Sequence, residues 1–168
     1  MKQLEISLKN GEENSLEYKS CAFTGHRDLG EDFSPSKMKK IIKQAIKSGI
    51  ETFYCGMAMG FDLLAGEYVA KHKKSNPQLR LIACIPCYGQ EKYFSDKDKK
   101  RYVALLKKSD EKVVLAEHYF NGCMQIRDKY IAERADILIA YCHKEKGGAA
   151  YTVKTFQKIK PNNPVWFI

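Results

Sequence analysis

The sequence predicts an α/β fold: a Rossmann-like, doubly wound, mostly parallel sheet with helices on both faces. Three observations predict it. Short apolar runs alternate strictly with helical stretches along the chain. The run Leu81-Ile82-Ala83-Cys84-Ile85 is apolar at every position, as suits a strand covered on both sides. Glycines cluster just after several apolar runs, at the strand ends where such sheets bind their ligands.

The elements follow in order. Residues 1–19 are polar, with Asn10-Gly11 as a turn signal, and are expected to form an arm or a short strand. Residues 20–168 read as a single domain, since 168 residues suit one core. Ser20 to Thr24 is a first buried strand ending at Gly25. Ser34-Pro35 gives a helix N-cap followed by proline at the first helical position. Met38, Ile41, Ile42, Ala45 and Ile46 then recur at helical spacing until Gly49. Thr52-Phe53-Tyr54-Cys55 is a second strand, and the helix after it carries Phe61, Leu64, Ala65, Tyr68 and Val69, ending near Asn76-Pro77.

The third strand, Leu81–Ile85, stops at Pro86. A polar helix is expected over about 98–109, with Val103, Leu105 and Leu106 as its apolar members. Val113-Val114-Leu115 is a short fourth strand, followed by a helix over about 124–135 and the strand Ile137–Tyr141. Lys146-Gly147-Gly148 leads into a last helix with Ala150, Val153, Phe156 and Ile159, and Val165-Trp166-Phe167 closes the sheet.

Composition narrows the function. No apolar run nears the roughly 20 residues that cross a bilayer, and Met1-Lys2-Gln3-Leu4-Glu5 does not read as a signal peptide. The expectation is a cytoplasmic protein with no membrane partner. Of six cysteines, Cys21, Cys55, Cys84 and Cys142 lie in strand-like stretches, where a free thiol behaves as a small hydrophobe. Cys84-Ile85-Pro86-Cys87 matches C-x-x-C but lacks a second pair or spaced histidines, so a core thiol, a loop thiol and no metal are expected. The net charge of +9 favours anionic ligands, small or polymeric. The lysines are dispersed without interleaved aromatics, which ranks nucleic acid below a small ligand.

Three strand-end loops carry the chemistry. In Thr24-Gly25-His26-Arg27, glycine allows close backbone approach and the arginine fork can hold a phosphate. Gly56-Met57-Ala58-Met59-Gly60-Phe61-Asp62 puts small residues at a strand-to-helix junction, where helix amides form an anion site. Asp62 could equally cap its helix. Glu67 borders an apolar stripe and either faces solvent or reaches the site. In Lys146-Gly147-Gly148-Ala149-Ala150-Tyr151-Thr152, the glycines could open a phosphate pocket with Thr152 as a hydroxyl donor. Arg127 could aim at a ligand or pair with an acid at the surface. His118 and His143 have no ligand-spaced partner and are expected at the surface.

These motifs resemble the YpsA-like members of the SLOG superfamily. The resemblance rests on Thr24 to Arg27, on Gly56-x-x-x-Gly60-x-Asp62-x-x-Ala65-x-Glu67, on Gly147-Gly148-x-x-Tyr151-Thr152 and on the Arg127 helix, and covers about residues 20–168. The second loop also looks like the glycine-rich segment of DNA-processing protein A, a relative that binds single-stranded DNA. The resemblance implies a pocket for a nucleotide or nucleotide-derived molecule, with Gly25, His26, Arg27, Gly56, Met57, Ala58, Gly60, Asp62, Glu67, Arg127, Gly147, Gly148 and Thr152 as its binding residues. A third branch, the LOG-type phosphoribohydrolases, carries Gly-Gly-x-Gly-Thr-x-x-Glu at its third loop. Here Ala150 stands for the second-motif glycine and Lys154 for the catalytic acid. Hydrolysis of an N-glycosidic bond would therefore need Asp62 or Glu67 as the acid.

The reading is binding or sensing of a phosphate-bearing nucleotide-type ligand, without a cofactor. Its alternatives are an N-glycosidic hydrolase or transferase and a single-strand nucleic-acid binder. A homodimer is expected by analogy alone.

Overall fold

A computed structural model describes residues 17–168, so the expected arm lies almost wholly outside the described residues. Six strands form one sheet in the order β4-β3-β2-β1-β5-β6, every neighbouring pair parallel. They are β1 (Ser20–Gly25), β2 (Thr52–Cys55), β3 (Arg80–Ile85), β4 (Glu111–Val114), β5 (Ile137–Tyr141) and β6 (Val165–Phe167). The chain builds outward from β1 to β4, then crosses back to place β5 on the other side of β1. The carboxyl end of β1 is therefore the switch point of the sheet.

Strand alternation sorts the core into two layers. Cys21, Phe23, Leu81, Ala83, Ile137 and Ile139 face one layer, packed by α1 (Pro35–Lys47), α2 (Phe61–His72) and α3 (Asp96–Lys108). Ala22, Ile82, Cys84, Leu138 and Ala140 face the other, with Ile131 and Ala132 of α4 (Cys123–Arg134) and Val153 and Phe156 of α5 (Gly148–Ile159). Helices on both faces explain why β3 beyond Arg80 and all of β5 are buried and without charge.

Local signals hold at the helix starts. Ser34 caps α1 by accepting the Lys37 N–H at 3.2 Å, ahead of Pro35. Ser95 caps α3, which begins two residues before the expected position. A single 3-10 turn, Gln90–Tyr93, precedes it and was not expected. Two apolar assignments fail. Val103 and Ile159 are 45% and 40% exposed, because Tyr102 and Leu105 bury α3 while Val153 and Phe156 bury α5. Cys142 lies just past β5, and Cys87 is a buried free thiol on the loop after β3. No helix of the described residues is long and apolar enough to cross a membrane.

Candidate functional site

At the switch point lies a cavity of about 230 Å³. The end of β1 lines it with Gly25, His26 and Arg27, the β2–α2 turn with Gly56, Ala58 and Asp62, and the start of α5 with Gly148 and Ala149. All three predicted loops thus meet in one space. The fourth wall is the face of α4 bearing Met124, Arg127, Asp128 and Ile131.

The turn after β2 is unusual backbone. Met57 has φ of 61°, the one non-glycine residue in the left-handed region among the described residues. Its side chain is buried in the core, so its share in the site is the turn it makes. Gly60 has φ of 81°, and a Cβ there would sit 2.2 Å from the Arg27 carbonyl oxygen. That close approach lets the Phe61 N–H donate to the His26 carbonyl at 3.2 Å, fastening the β1 loop to the start of α2. The first amide of α2 is therefore spent inside the protein. At α5 the first intrahelical bond runs from the Tyr151 N–H to the Gly147 carbonyl at 2.9 Å. The amides ahead of it lie outside the helical ladder, beside the cavity. Gly147 is the N-cap of this helix, and Thr152 is buried behind the loop, its hydroxyl donating to the Gly148 carbonyl at 2.9 Å.

One cation serves two buried acids here. Arg127 is only 5% exposed, not paired at the surface, and its guanidinium donates to the Gly56 carbonyl and, at 2.7 Å, to Asp128 Oδ1. Burial works against its charge, yet Asp128 and Asp62 outweigh that and raise its pKa. Burial also raises Asp128, against the pull of Arg127. Asp62 holds one bond, from the Ala58 N–H to Oδ2 at 3.3 Å, while its buried Oδ1 has no partner. Burial pushes its carboxyl from 3.8 up to about 7, although Arg127 draws it down. Asp62 does not cap α2; Gly60 does.

His26 accepts the His143 N–H on Nε2 at 3.1 Å, its ring 4.5 Å from that of His143. The Tyr141 hydroxyl donates to Asp32 Oδ1 at 2.9 Å and accepts the Gly30 N–H at 3.2 Å, which ties the rest of the β1 loop to β5. His143 is exposed, as expected, but it is not isolated.

Glu67 is not brought to the cavity. It pairs with Arg101 of α3 at 2.7 Å, beside a separate groove between α1 and α2. Its place as the seventh residue of α2 turns it to that side, whereas Asp62 in the first turn faces the sheet end. Sequence reasoning missed Asp128, Met124 and Ile131. Their spacing with Arg127 (124, 127, 128, 131) is one helical face, so the signal was an ion pair embedded in a stripe facing the sheet. Gln90, also missed, donates from Nε2 to the Gly56 carbonyl at 2.9 Å. Among the described residues, no group of three or more His, Cys, Asp or Glu is placed to hold a metal ion.

Comparison with known proteins agrees with this architecture. A model of the YspA SLOG family matches residues 23–168. The UPF0398 protein YpsA of Bacillus subtilis is 26% identical over 165 residues, covering 89% of this chain and 92% of that protein. A UPF0398 protein of Halalkalibacterium halodurans is 24% identical over 142 residues, covering 83% and 75%. Among solved structures, DNA processing protein A from Helicobacter pylori, described by its single-stranded DNA binding mode, has a TM-score of 0.63 at 18% identity, over 90% of this chain. DNA processing protein A from Streptococcus pneumoniae has a TM-score of 0.62 at 17% identity, over 89% of this chain. This chain spans 65% and 50% of the lengths of those two proteins, and the likeness is one of fold.

Proposed function

The chain belongs to the YspA SLOG family, and on that premise we propose that its sheet-end cavity binds a nucleotide-derived ligand through a phosphate. The observation that supports this is the convergence of three separate crossovers, with Arg27 and the start of α5, on one cavity. The open amides of α5 and the exposed Arg27 guanidinium suit an oxyanion. Asp62 and Asp128, set back in two walls of the cavity, suit the hydroxyls of a ribose. The carbonyl of Gly56 is already occupied by Arg127 and Gln90, so that strand end serves to hold the wall and does not meet the ligand.

Titration calorimetry of the full chain against inorganic phosphate, nucleoside mono- and diphosphates and a short single-stranded oligonucleotide tests this. A mononucleotide should bind, and Arg27→Ala should weaken it by about tenfold or more, the worth of one charge-assisted bond of roughly 1.5–3 kcal/mol. Absence of binding across the panel, or undiminished binding by the variant, would sink the reading. Oligonucleotide binding that falls steeply with salt, without mononucleotide binding, would favour the nucleic-acid alternative, which the likeness to DNA processing protein A supports.

A second reading has its own observation. A buried carboxyl with a pKa near 7 and a free oxygen is the kind of group that serves as a general acid or base. Asp62, and not Glu67, would then act at the N-glycosidic bond of a bound nucleotide. Chromatography of nucleoside monophosphates after incubation should reveal free base from the wild-type chain and none from Asp62→Asn. Intact substrate throughout would remove this reading.

A further inference from the structure

The loop that delivers the start of α5 to the cavity is fastened by side chains. Residues 142–146, between β5 and the N-cap Gly147, make no backbone–backbone hydrogen bond among the described residues. Yet Gly148 and Ala149, which line the cavity, follow directly from this loop. Two side chains from outside hold it. Lys154 of α5 donates from Nζ to the Glu145 carbonyl at 2.8 Å. His26, just past β1 and itself lining the cavity, accepts the His143 backbone N–H on Nε2 at 3.1 Å.

We propose that His26 is a positioning residue for the anion site, a latch that holds the β5–α5 loop only while its imidazole is neutral. The reason lies in the two ring nitrogens. With Nε2 accepting, the neutral ring carries its proton on Nδ1. The imidazolium carries a proton on both, so an Nε2–H would meet the His143 N–H and the bond is lost. The ring faces those of Tyr141 and His143, with centroids 5.4 and 4.5 Å away. Lys144 and Asp32 are the charges that reach it, and Arg27 follows it in the chain. Asp32 favours the charged ring, but burial, His143 and Lys144 outweigh it and hold the neutral form. A charged His143 would pair with Asp32, 3.8 Å from its Nδ1, and would repel a charged His26 across the ring contact.

Protonation of His26 therefore frees one of two side-chain anchors of the loop, and the α5 amides lose their fixed place at the cavity. Anion affinity falls with it. That consequence rests on the phosphate site proposed above; the latch itself does not. A histidine acting only as a cavity cation would give the opposite trend, with affinity rising in acid.

The test is an NMR titration of the full chain between about pH 8 and 5, joined to sulfate binding by calorimetry. Sulfate is the probe because its charge does not change over that range. Long-range nitrogen–proton spectra should place the neutral proton of His26 on Nδ1. The backbone amide shift at position 143 should follow the His26 midpoint. It should still do so in His143→Gln, which keeps the amide and removes its ring. His26→Gln offers an amide oxygen where Nε2 stands, an acceptor that does not titrate, so the His143 amide should stay bonded throughout. As pH falls through the His26 midpoint, wild-type sulfate affinity relative to His26→Gln should drop by about threefold or more, the worth of one neutral hydrogen bond. Asp62 is common to both chains and cancels in that ratio. A proton on Nε2, an amide at position 143 indifferent to His26, or a ratio that stays flat or rises in acid would overturn the proposal. If neither chain binds sulfate at any pH, the phosphate reading above fails, while the amide titration still decides the latch.

Discussion

Replacing Asp62 with asparagine keeps the side-chain shape and an acceptor for the Ala58 N–H, while removing an ionisation that the fold resists. Burial raises this carboxyl from 3.8 to about 7. The difference, 7 − 3.8, is about 3 pH units, or about 4 kcal/mol at roughly 1.4 kcal/mol per unit. Because the folded chain holds this proton more tightly than the unfolded one, the contribution is fully present below about pH 4. It is lost as pH rises through about 7. The asparagine variant cannot lose it. Its stability should therefore draw ahead of wild type from about pH 4 upward and level off above about pH 7, with a gap of at most about 4 kcal/mol.

Groups common to both chains cancel in that difference. Urea unfolding followed by the fluorescence of Trp166, the single tryptophan, would measure it at several pH values between about 5 and 8. A gap that stays flat with pH, or narrows as pH rises, would refute the claim that Asp62 is forced toward its neutral form.

Gly60→Ala should destabilise the chain by about 2–4 kcal/mol in calorimetric unfolding, because its Cβ would meet backbone at a φ of 81°. Arg127→Leu should cost about 3–5 kcal/mol in urea unfolding by leaving Asp128 buried without its cation, and the double variant with Asp128→Leu should recover much of that loss. Burial, then His143 and Lys144, lower the pKa of His26, so its neutral form adds stability above the ordinary value of 6.5 that is lost as pH falls through the lowered one. An NMR titration should find its midpoint below 6.5, moving upward in His143→Ala.

Much of the fold was legible because it is written in local periodicity. The apolar runs of β1, β3 and β5 and the stripes of α1 and α5 state which faces are buried whatever packs on them, and Ser34-Pro35 marks a helix start within four residues of chain. The Gly25, Gly56 and Gly148 loops were legible for a related reason: a parallel sheet puts every strand-to-helix turn along one rim.

Partnership was decided only in three dimensions. Glu67 and Asp62 looked equivalent on the page, yet one pairs with Arg101 on α3 and the other is left with an unpartnered oxygen at the cavity wall. Arg127 read as a residue for ligand or surface, and packing buried it between two acids. Cys87 read as a loop thiol, and the loop after β3 folds it under cover. A buried charge or thiol takes its character from neighbours delivered by distant crossovers, and those neighbours are fixed by the order of strands in the sheet rather than by the residues beside it in sequence.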